Sequence, residues 1–460
     1  MNPMSPEEKT VLSYTAAGVV LPHSMTDIQH TLARMGWCVW LQDIVRLRSF
    51  HEQLVAITDG LVKTEPDLVA VVDHVGLLPE VIPLLEKPPR VLSWFYDNPL
   101  NILRDEFLSM NSRYHLFCWD CAYLPELRHR GFEHVYYQPF ATNPDVYRPH
   151  RQVGFEYDVS FVGNCSPKRA AVLLELAGHG VAVDVFGDAA WAKVKHRCLR
   201  YHGVADNRRD CPHIYSRSKI NLNISSEQLI TSLPVRVFDV LATGGFLLTD
   251  HRADVEELFK PGRDLAVYEN DIDLCRKVFF YRDADEERAR MAGNGHASVM
   301  DRFTFEKVLP PMIRQVFDAR GTARDRIPEL NRLAGNLWLV GLSYLKFNRY
   351  AEASSRLSRA MQLCPGDERC LLGVAFLSAR LGRKAETESC ISALSAMGSV
   401  HAETARTWAD RSPEGPWADA WKTLYGMVYA DMNLEPDGTI SGWSPFRVVN
   451  AQPMTVEVSS

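Results

Sequence analysis

Two segments of this chain concentrate the side chains suited to an anionic ligand. The first, DVSFVGNCSPKRAAVLLEL, starts at Asp158 and reads as a strand, then Gly163 and Asn164, then a helix opening near Ser166-Pro167. Glycine permits close backbone approach, and a helix start presents unpaired N–H groups and a positive dipole end. Lys168 and Arg169 add mobile positive charge, and the set suits a diphosphate. Strand-glycine-helix is common in doubly wound folds, so Arg169 reads equally as a surface charge. The second segment is SKINLNISSEQLITSLPVRVFDVLATGGFLLTD. Strand 219–224 leads into a polar loop, and Pro234 suits the first turn of a helix. Arg236 and Asp239, three apart, share a face near the start of that helix. Arg236 can meet phosphate oxygens bidentately, and Asp239 can accept from two ribose hydroxyls. Gly244-Gly245 close the helix and allow a tight return into strand 246–249. A surface ion pair between Arg236 and Asp239 fits the spacing as well as a ligand site does.

The elements that must position these residues fall into two alternating series. Before residue 143, apolar runs at 11–14, 38–41, 68–72, 90–96, 114–119 and 134–138 read as strands. Helical periodicity appears at 25–35 and 50–62. Apolar strands separated by helices indicate a parallel sheet covered on both faces. Ligands bind at the carboxyl ends of such strands, where Asp73-His74 and Asp97-Asn98 belong. A proline-bearing polar stretch, 143–152, reads as a linker. The second series has strands at 157–162, 182–186, 219–224, 246–249 and 265–268, with helices between them and a final helix at 305–317. From about residue 334 helices continue without strands. Gly341, Tyr344, Tyr350, Ala353, Ala360 and Pro365 stand at the spacing of a tetratricopeptide repeat. The next period, from Glu368, matches less well, and a generic helical hairpin is the alternative. So short an array needs capping against a neighbouring domain. The domains expected are a lobe at 1–150, a second lobe at 151–325, the helical module at 326–400, and a helix with tail at 401–460.

Composition sets the bounds. The chain has 460 residues, 46% hydrophobic and 23% charged, with a net charge of −6. That is a multidomain globular composition with no general attraction to nucleic acid or anionic membrane, so an anionic ligand needs a local basic pocket. No apolar run is long enough to span a bilayer, and residues 1–20 lack a secretory signal. Ten scattered cysteines point to reduced thiols and a cytoplasmic setting. Cys118 and Cys121 form a close pair without a second pair or nearby histidines, so they read as strand-end residues and not as a zinc set.

The order DVSFVGN–R, SKINLNIS, RVFDVLATGGFLLTD and ELFKPGRDLAVYEN, over roughly 158–317, resembles the glycosyltransferase group 1 domain of CgeB/YkvP-like proteins. The lobe before it is similar to the one preceding that domain there, including YDNP at Tyr96 to Pro99. The resemblance implies GT-B architecture: two Rossmann-like, doubly wound α/β lobes, the donor mainly in the second, with no cofactor and no obligatory metal. It implies a metal-independent transfer from a nucleotide-diphosphate sugar to a protein or glycan acceptor, the helical module holding a protein partner. The donor-binding set expected is Gly163, Asn164, Lys168, Arg169, Arg236, Asp239 and Gly244. Asp239 stands where broader family-4-like enzymes hold the donor ribose. Eight positions earlier those enzymes carry a glutamate; here Thr231 stands there, and Glu227 is off register. The multi-glycine loop after the first strand is reduced to Gly18. Asp97 replaces a histidine after the fourth strand and, with Arg236, makes the expected catalytic pair. Asp97 as a turn-forming residue before Asn98-Pro99 is the alternative, and His23 and His74 are rival polar groups. The base is expected to be read near 201–204. The second functional reading is a GT-B-shaped nucleotide-binding scaffold that has lost catalysis; an epimerase on the same fold has no specific support.

Overall fold

Strand Leu68–Val72 (LVAVV) is buried at every position, which only a sheet with both faces covered allows. It is β3 of a parallel set with β1 (Thr10–Thr15), β2 (Cys38–Asp43), β4 (Arg90–Phe95), β5 (Tyr114–Cys118) and β6 (Val135–Tyr137). The computed structural model describes residues 9–15, 22–149, 154–320, 324–411, 417–429, 432, 434–441 and 446–448. The strand order is 2-1-3-4-5-6, so the direction of winding reverses between β1 and β3. Helices α1 (Pro22–Arg34), α2 (Phe50–Thr64), α3 (Pro99–Ile102) and α4 (Leu124–His129) cover this sheet. A reciprocal Ser49–Glu52 capping box opens α2.

The second lobe repeats the scheme. Strands β7 (Tyr157–Val162), β8 (Val183–Phe186), β9 (Leu199–Tyr201), β10 (Ser218–Asn223), β11 (Leu247–Asp250) and β12 (Ala266–Tyr268) run parallel in the order 12-11-10-7-8-9. Its switch point lies between β7 and β10, so the loops after Val162 and after Asn223 open on one crevice. Helices α5 (Pro167–Gly178), α6 (Cys211–Ser216), α7 (Val235–Ala242), α8 (Asp254–Leu258), α9 (Asp271–Asp283) and α10 (Asp285–Arg302) pack around it. Strand β9 went unread in the sequence because its three residues are mostly exposed.

The start of the first crossing between lobes is buried. Asn143, expected in a solvated linker, is 8% exposed and donates to Asp27 at 2.6 Å. Thr142 bridges Thr304, and the next helix, α11 (Phe305–Asp318), lies against α1 and β4 of the first lobe. Phe305 meets Trp94 with ring centroids 5.9 Å apart, and Arg34 pairs with Glu306. The chain thus returns to the first lobe at residue 303, ahead of the boundary drawn at 325.

Helices α12 (Leu330–Lys346), α13 (Tyr350–Leu363), α14 (Glu368–Arg380), α15 (Lys384–Ala396), α16 (Ala402–Ala409) and α17 (Ala418–Gly426) make the helical segment. A Cβ on Gly341 would lie 2.7 Å from Leu357 Cγ, so the small residue sets how closely α12 and α13 approach. The segment caps on α2 of the first lobe: Lys346 pairs with Asp59 at 2.6 Å, with 3% and 11% of the side chains exposed, and Ser343 donates to the same carboxylate. Strand β13 (Phe446–Val448) then adds antiparallel to β2.

Removing one partner of a buried pair leaves the other charge uncompensated. Asp59→Ala is therefore expected to cost about 3 kcal/mol in chemical denaturation, whereas Asp59→Leu with Lys346→Met should cost much less. Equal losses in the single and double variants would contradict a charge-driven dock.

Candidate active site at the carboxyl edge of the second sheet

The first wall of the crevice is the turn after β7. Gly163 N–H donates to Phe186 O, and Gly187 N–H to Gly203 O, both at 2.8 Å. A Cβ on Gly187 would fall 2.1 Å from the Gly163 carbonyl oxygen, so backbone alone fits there. Three glycines thus line the carboxyl ends of β7, β8 and β9, and the Trp191 indole donates to Gly163 O at 2.8 Å beneath them. Gly187 was not among the expected residues, and Gly203 fell only within the 201–204 stretch expected to read the base; each lies just past its strand, which is the available signal.

The second wall carries charge. Ser166 caps α5 by accepting from Arg169 N–H. Arg169 is 9% exposed and donates through Nε to Ile224 O and through Nη1 to Asn164 O, both at 3.0 Å. Arg236, in the first turn of α7, donates to Asn223 Oδ1 at 2.7 Å. Both guanidinium carbons stand over the Phe161 ring, at 5.7 and 5.3 Å from its centroid. A Cβ on Gly163 would lie 2.6 Å from Arg236 Nη2, so the glycine makes room for that group. Burial, and next the Arg236 charge, lower the Arg169 pKa to about 10. Lys168 completes the cluster, donating to Ser225 O at 3.2 Å with Asp250 at 3.7 Å. Asp250 in turn accepts from Ser225 N–H and hydroxyl and pairs with Arg252. A cavity of about 240 Å³ beside it is lined by Lys168, Asp250, His251 and Arg252.

The structure therefore gathers Gly163, Lys168, Arg169 and Arg236, with Asn164 exposed at the rim. Gly244 lies at the far end of α7, roughly 12 Å along the axis, in a left-handed conformation (φ 69°) that ends the helix. Asp239 is 4% exposed and accepts from Thr142 hydroxyl at 2.8 Å, facing the seam between lobes. Burial raises its pKa to about 8 against the hydrogen bond from Thr142, and the nearby Asp27 charge pushes the same way. Around 201–204, Tyr201 hydroxyl donates to the Asp188 carbonyl, His202 bonds Asp184, and Val204 is 77% exposed.

On the first lobe, the sites expected at strand ends are present. Asp73, left-handed at φ 54°, accepts from the N–H of Tyr96 and of Asp97. Asp97 spends one oxygen on Asn98 N–H, the turn-forming contact. His74 enters a cavity of about 560 Å³ lined also by Phe50, Leu77, Arg104 and, from α12, Arg332 and Asn336. His23 has its pKa lowered to about 4 by burial, then by Arg208, and contacts Asn207 across the lobes. Gly18 lies outside the described residues. Cys118 is buried, donating to Asp120 O, and Cys121 contacts Thr231 and Asp254.

Comparisons with known proteins agree with this geometry. The structure resembles a glycosyltransferase from Rickettsia africae (TM-score 0.54, 12% identity, 68% of this chain and 99% of that one). The fold is GT-B. Anabaena HepE in complex with UDP and glucose matches with a TM-score of 0.53 at 12% identity, over 68% of this chain and 100% of its own. Sucrose-phosphate synthase of Thermosynechococcus elongatus matches with 0.52 at 11%, again over 68% and 100%. At these identities the likeness concerns fold. A family model described as glycosyl transferase-like matches residues 169–313, the part of the second lobe that carries Arg169 and Arg236. No curated protein sequence matches the chain.

The Asp239 proton gives a pH test. A carboxyl held near 8 when folded and near 3.8 when unfolded binds more protons in the folded chain between those values. Its stabilising contribution is full below pH 3.8 and is lost as pH rises through 8. Thermal unfolding of Asp239→Asn, which keeps the acceptor for Thr142, should lose less stability between pH 5 and 9 than wild type. Parallel pH profiles would show that Asp239 is not the buried acid described.

Proposed function

We propose that this chain is a glycosyltransferase that moves a sugar from a nucleotide-diphosphate donor to a protein or glycan acceptor. The supporting observation is the pair of guanidinium groups, Arg169 and Arg236, over one ring at the switch point of the second sheet, with Lys168 beside them. Departure of a nucleoside diphosphate builds negative charge, and preorganised cations with two helix starts stabilise it without reorganisation. In this reading these side chains take the role that a metal has in other transferases. The HepE structures contain UDP and UDP-glucose, which makes UDP the first probe to try. Asp239 serves the donor ribose once the seam at Thr142 parts. Gly163 and Asn164 lie along the diphosphate, and Gly244 acts by ending α7.

The acceptor enters over the first lobe, where the 560 Å³ cavity opens at the carboxyl edge beside His74. Asp97 is the base of this reading. The helical segment, tetratricopeptide-like in spacing, contributes Arg332 and Asn336 to the cavity wall and so takes part in presenting acceptor or partner. None of the ten cysteines is in a disulfide, which supports a cytoplasmic setting, and no described helix is long and apolar enough to cross a membrane. One observation favours a nucleotide-binding scaffold instead: Thr231 is engaged by Asp120 of the first lobe, and Asp239 is sealed in the seam.

Calorimetric titration with UDP, GDP and ADP tests the donor site. Arg236→Ala is expected to weaken diphosphate binding about tenfold or more with the fold intact, Asp239→Ala to weaken it too, and Lys168→Ala less. Unchanged affinity in both Arg236→Ala and Asp239→Ala would remove the assignment. Tight binding with no hydrolysis or transfer from any donor sugar would select the scaffold.

A further inference from the structure

Asp120 ends the run after β5 and is fully buried. Its Oδ1 accepts from Ala122 N–H in its own lobe at 3.0 Å and from Thr231 hydroxyl in the other lobe at 2.7 Å. Its Oδ2 accepts from three consecutive N–H groups of the second lobe: Ile230 at 2.8 Å, Thr231 at 3.1 Å and Ser232 at 3.3 Å. Successive N–H groups converging on one point form an anion-binding nest. Here the anion is a side chain of the other lobe, and all five donors are neutral.

The loop held this way, residues 224–234, carries the phosphate cluster at both ends. Its first residues supply Ile224 O to Arg169 and Ser225 O to Lys168, and its last lead into the turn of α7 that bears Arg236. Between them Glu227, Gln228 and Ile230 are exposed, and the middle of the loop packs through the single buried side chain of Leu229. Neighbouring first-lobe groups grip the same region. Tyr123 hydroxyl donates to Gln228 O and Tyr137 hydroxyl to Asp254 Oδ2, both at 2.6 Å, while Asp254 N–H donates to Thr231 O.

We propose that Asp120 is a positioning residue for the donor site: a first-lobe carboxylate that seats in the 230–232 nest and thereby fixes the loop that aligns Arg169, Lys168 and Arg236. The donor cluster is then complete only while the lobes are docked at this point, which couples acceptor-side geometry to donor binding. The inference rests on the diphosphate reading of that cluster.

The test uses the full chain and two variants. Asp120→Asn keeps the shape but turns an NH2 toward the nest, and Asp120→Gly leaves space for a small carboxylate. Hydrogen exchange over 226–234 is measured with calorimetric binding of whichever of UDP, GDP and ADP wild type binds most tightly. Both variants are expected to lose protection at 230–232 and about tenfold or more in affinity. Formate should restore both properties in Asp120→Gly and leave the weakened affinity of Arg236→Ala unchanged. A purely structural cap would lower the melting temperature without formate-dependent recovery of binding. Lost protection with unchanged affinity overturns the proposal, as does unchanged protection, or formate that restores exchange without binding. Should Asp120→Gly fail to fold, Asp120→Asn decides by the exchange and affinity readouts alone. Wild type that binds none of the three diphosphates overturns the donor reading itself, a failure visible before any variant is made.

Discussion

Two like charges held over one aromatic ring organise this molecule. Each guanidinium gains on the order of 1 kcal/mol from the Phe161 face, and their mutual repulsion opposes the arrangement. What fixes them is hydrogen bonding: Arg169 is tied to the backbone carbonyls of Ile224 and Asn164, and Arg236 to the side-chain oxygen of Asn223 at the end of β10. Those anchors exist because β7 and β10 are neighbours at the reversal of strand order. The glycines at 163 and 187 then put no Cβ between them. Among the described residues no carboxylate pairs with either guanidinium group, and burial, then the Arg236 charge, lowers the Arg169 pKa to about 10.

The seam between lobes settles the opposite problem, buried negative charge, by different routes. Asp27 pairs with Arg208 at 2.8 Å and accepts from Asn143. Asp120 relies on five neutral donors. Asp254 accepts from the Tyr137 hydroxyl. Asp239 keeps its proton to about pH 8, since a hydrogen bond from Thr142 compensates little of its desolvation. These carboxylates join groups from both lobes or the crossing between them, so lobe separation would rehydrate several acids together.

The helical segment is a further part of the first lobe more than an appendage. The buried Lys346–Asp59 pair, Tyr344 hydroxyl accepting from Glu86 N–H, and Arg356 reaching Leu84 O weld α12 and α13 to α2 and the strand-end loops. With β13 closing on β2, the end of the described chain returns to the sheet where it began.

The sequence by itself determined the two parallel sheets, because short apolar, valine-rich runs such as LVAVV, alternating with helical periods, fit strands covered on both faces. It also marked Gly163, Lys168, Arg169 and Arg236, since strand-glycine-helix order places such residues at one edge. Strand β9 stayed hidden for lack of burial and length, and β13 for its length of three residues. Only tertiary structure decided which face each acid took. Arg236 and Asp239 share a helix face by spacing, yet the first meets Asn223 in the crevice and the second turns to Thr142, a residue 97 positions away. Asp120 drew no reading from the sequence, because its partners at 230–232 exist only once two separately wound lobes dock. Long-range pairing of polar groups follows from how sheets pack, and local sequence carries no record of it.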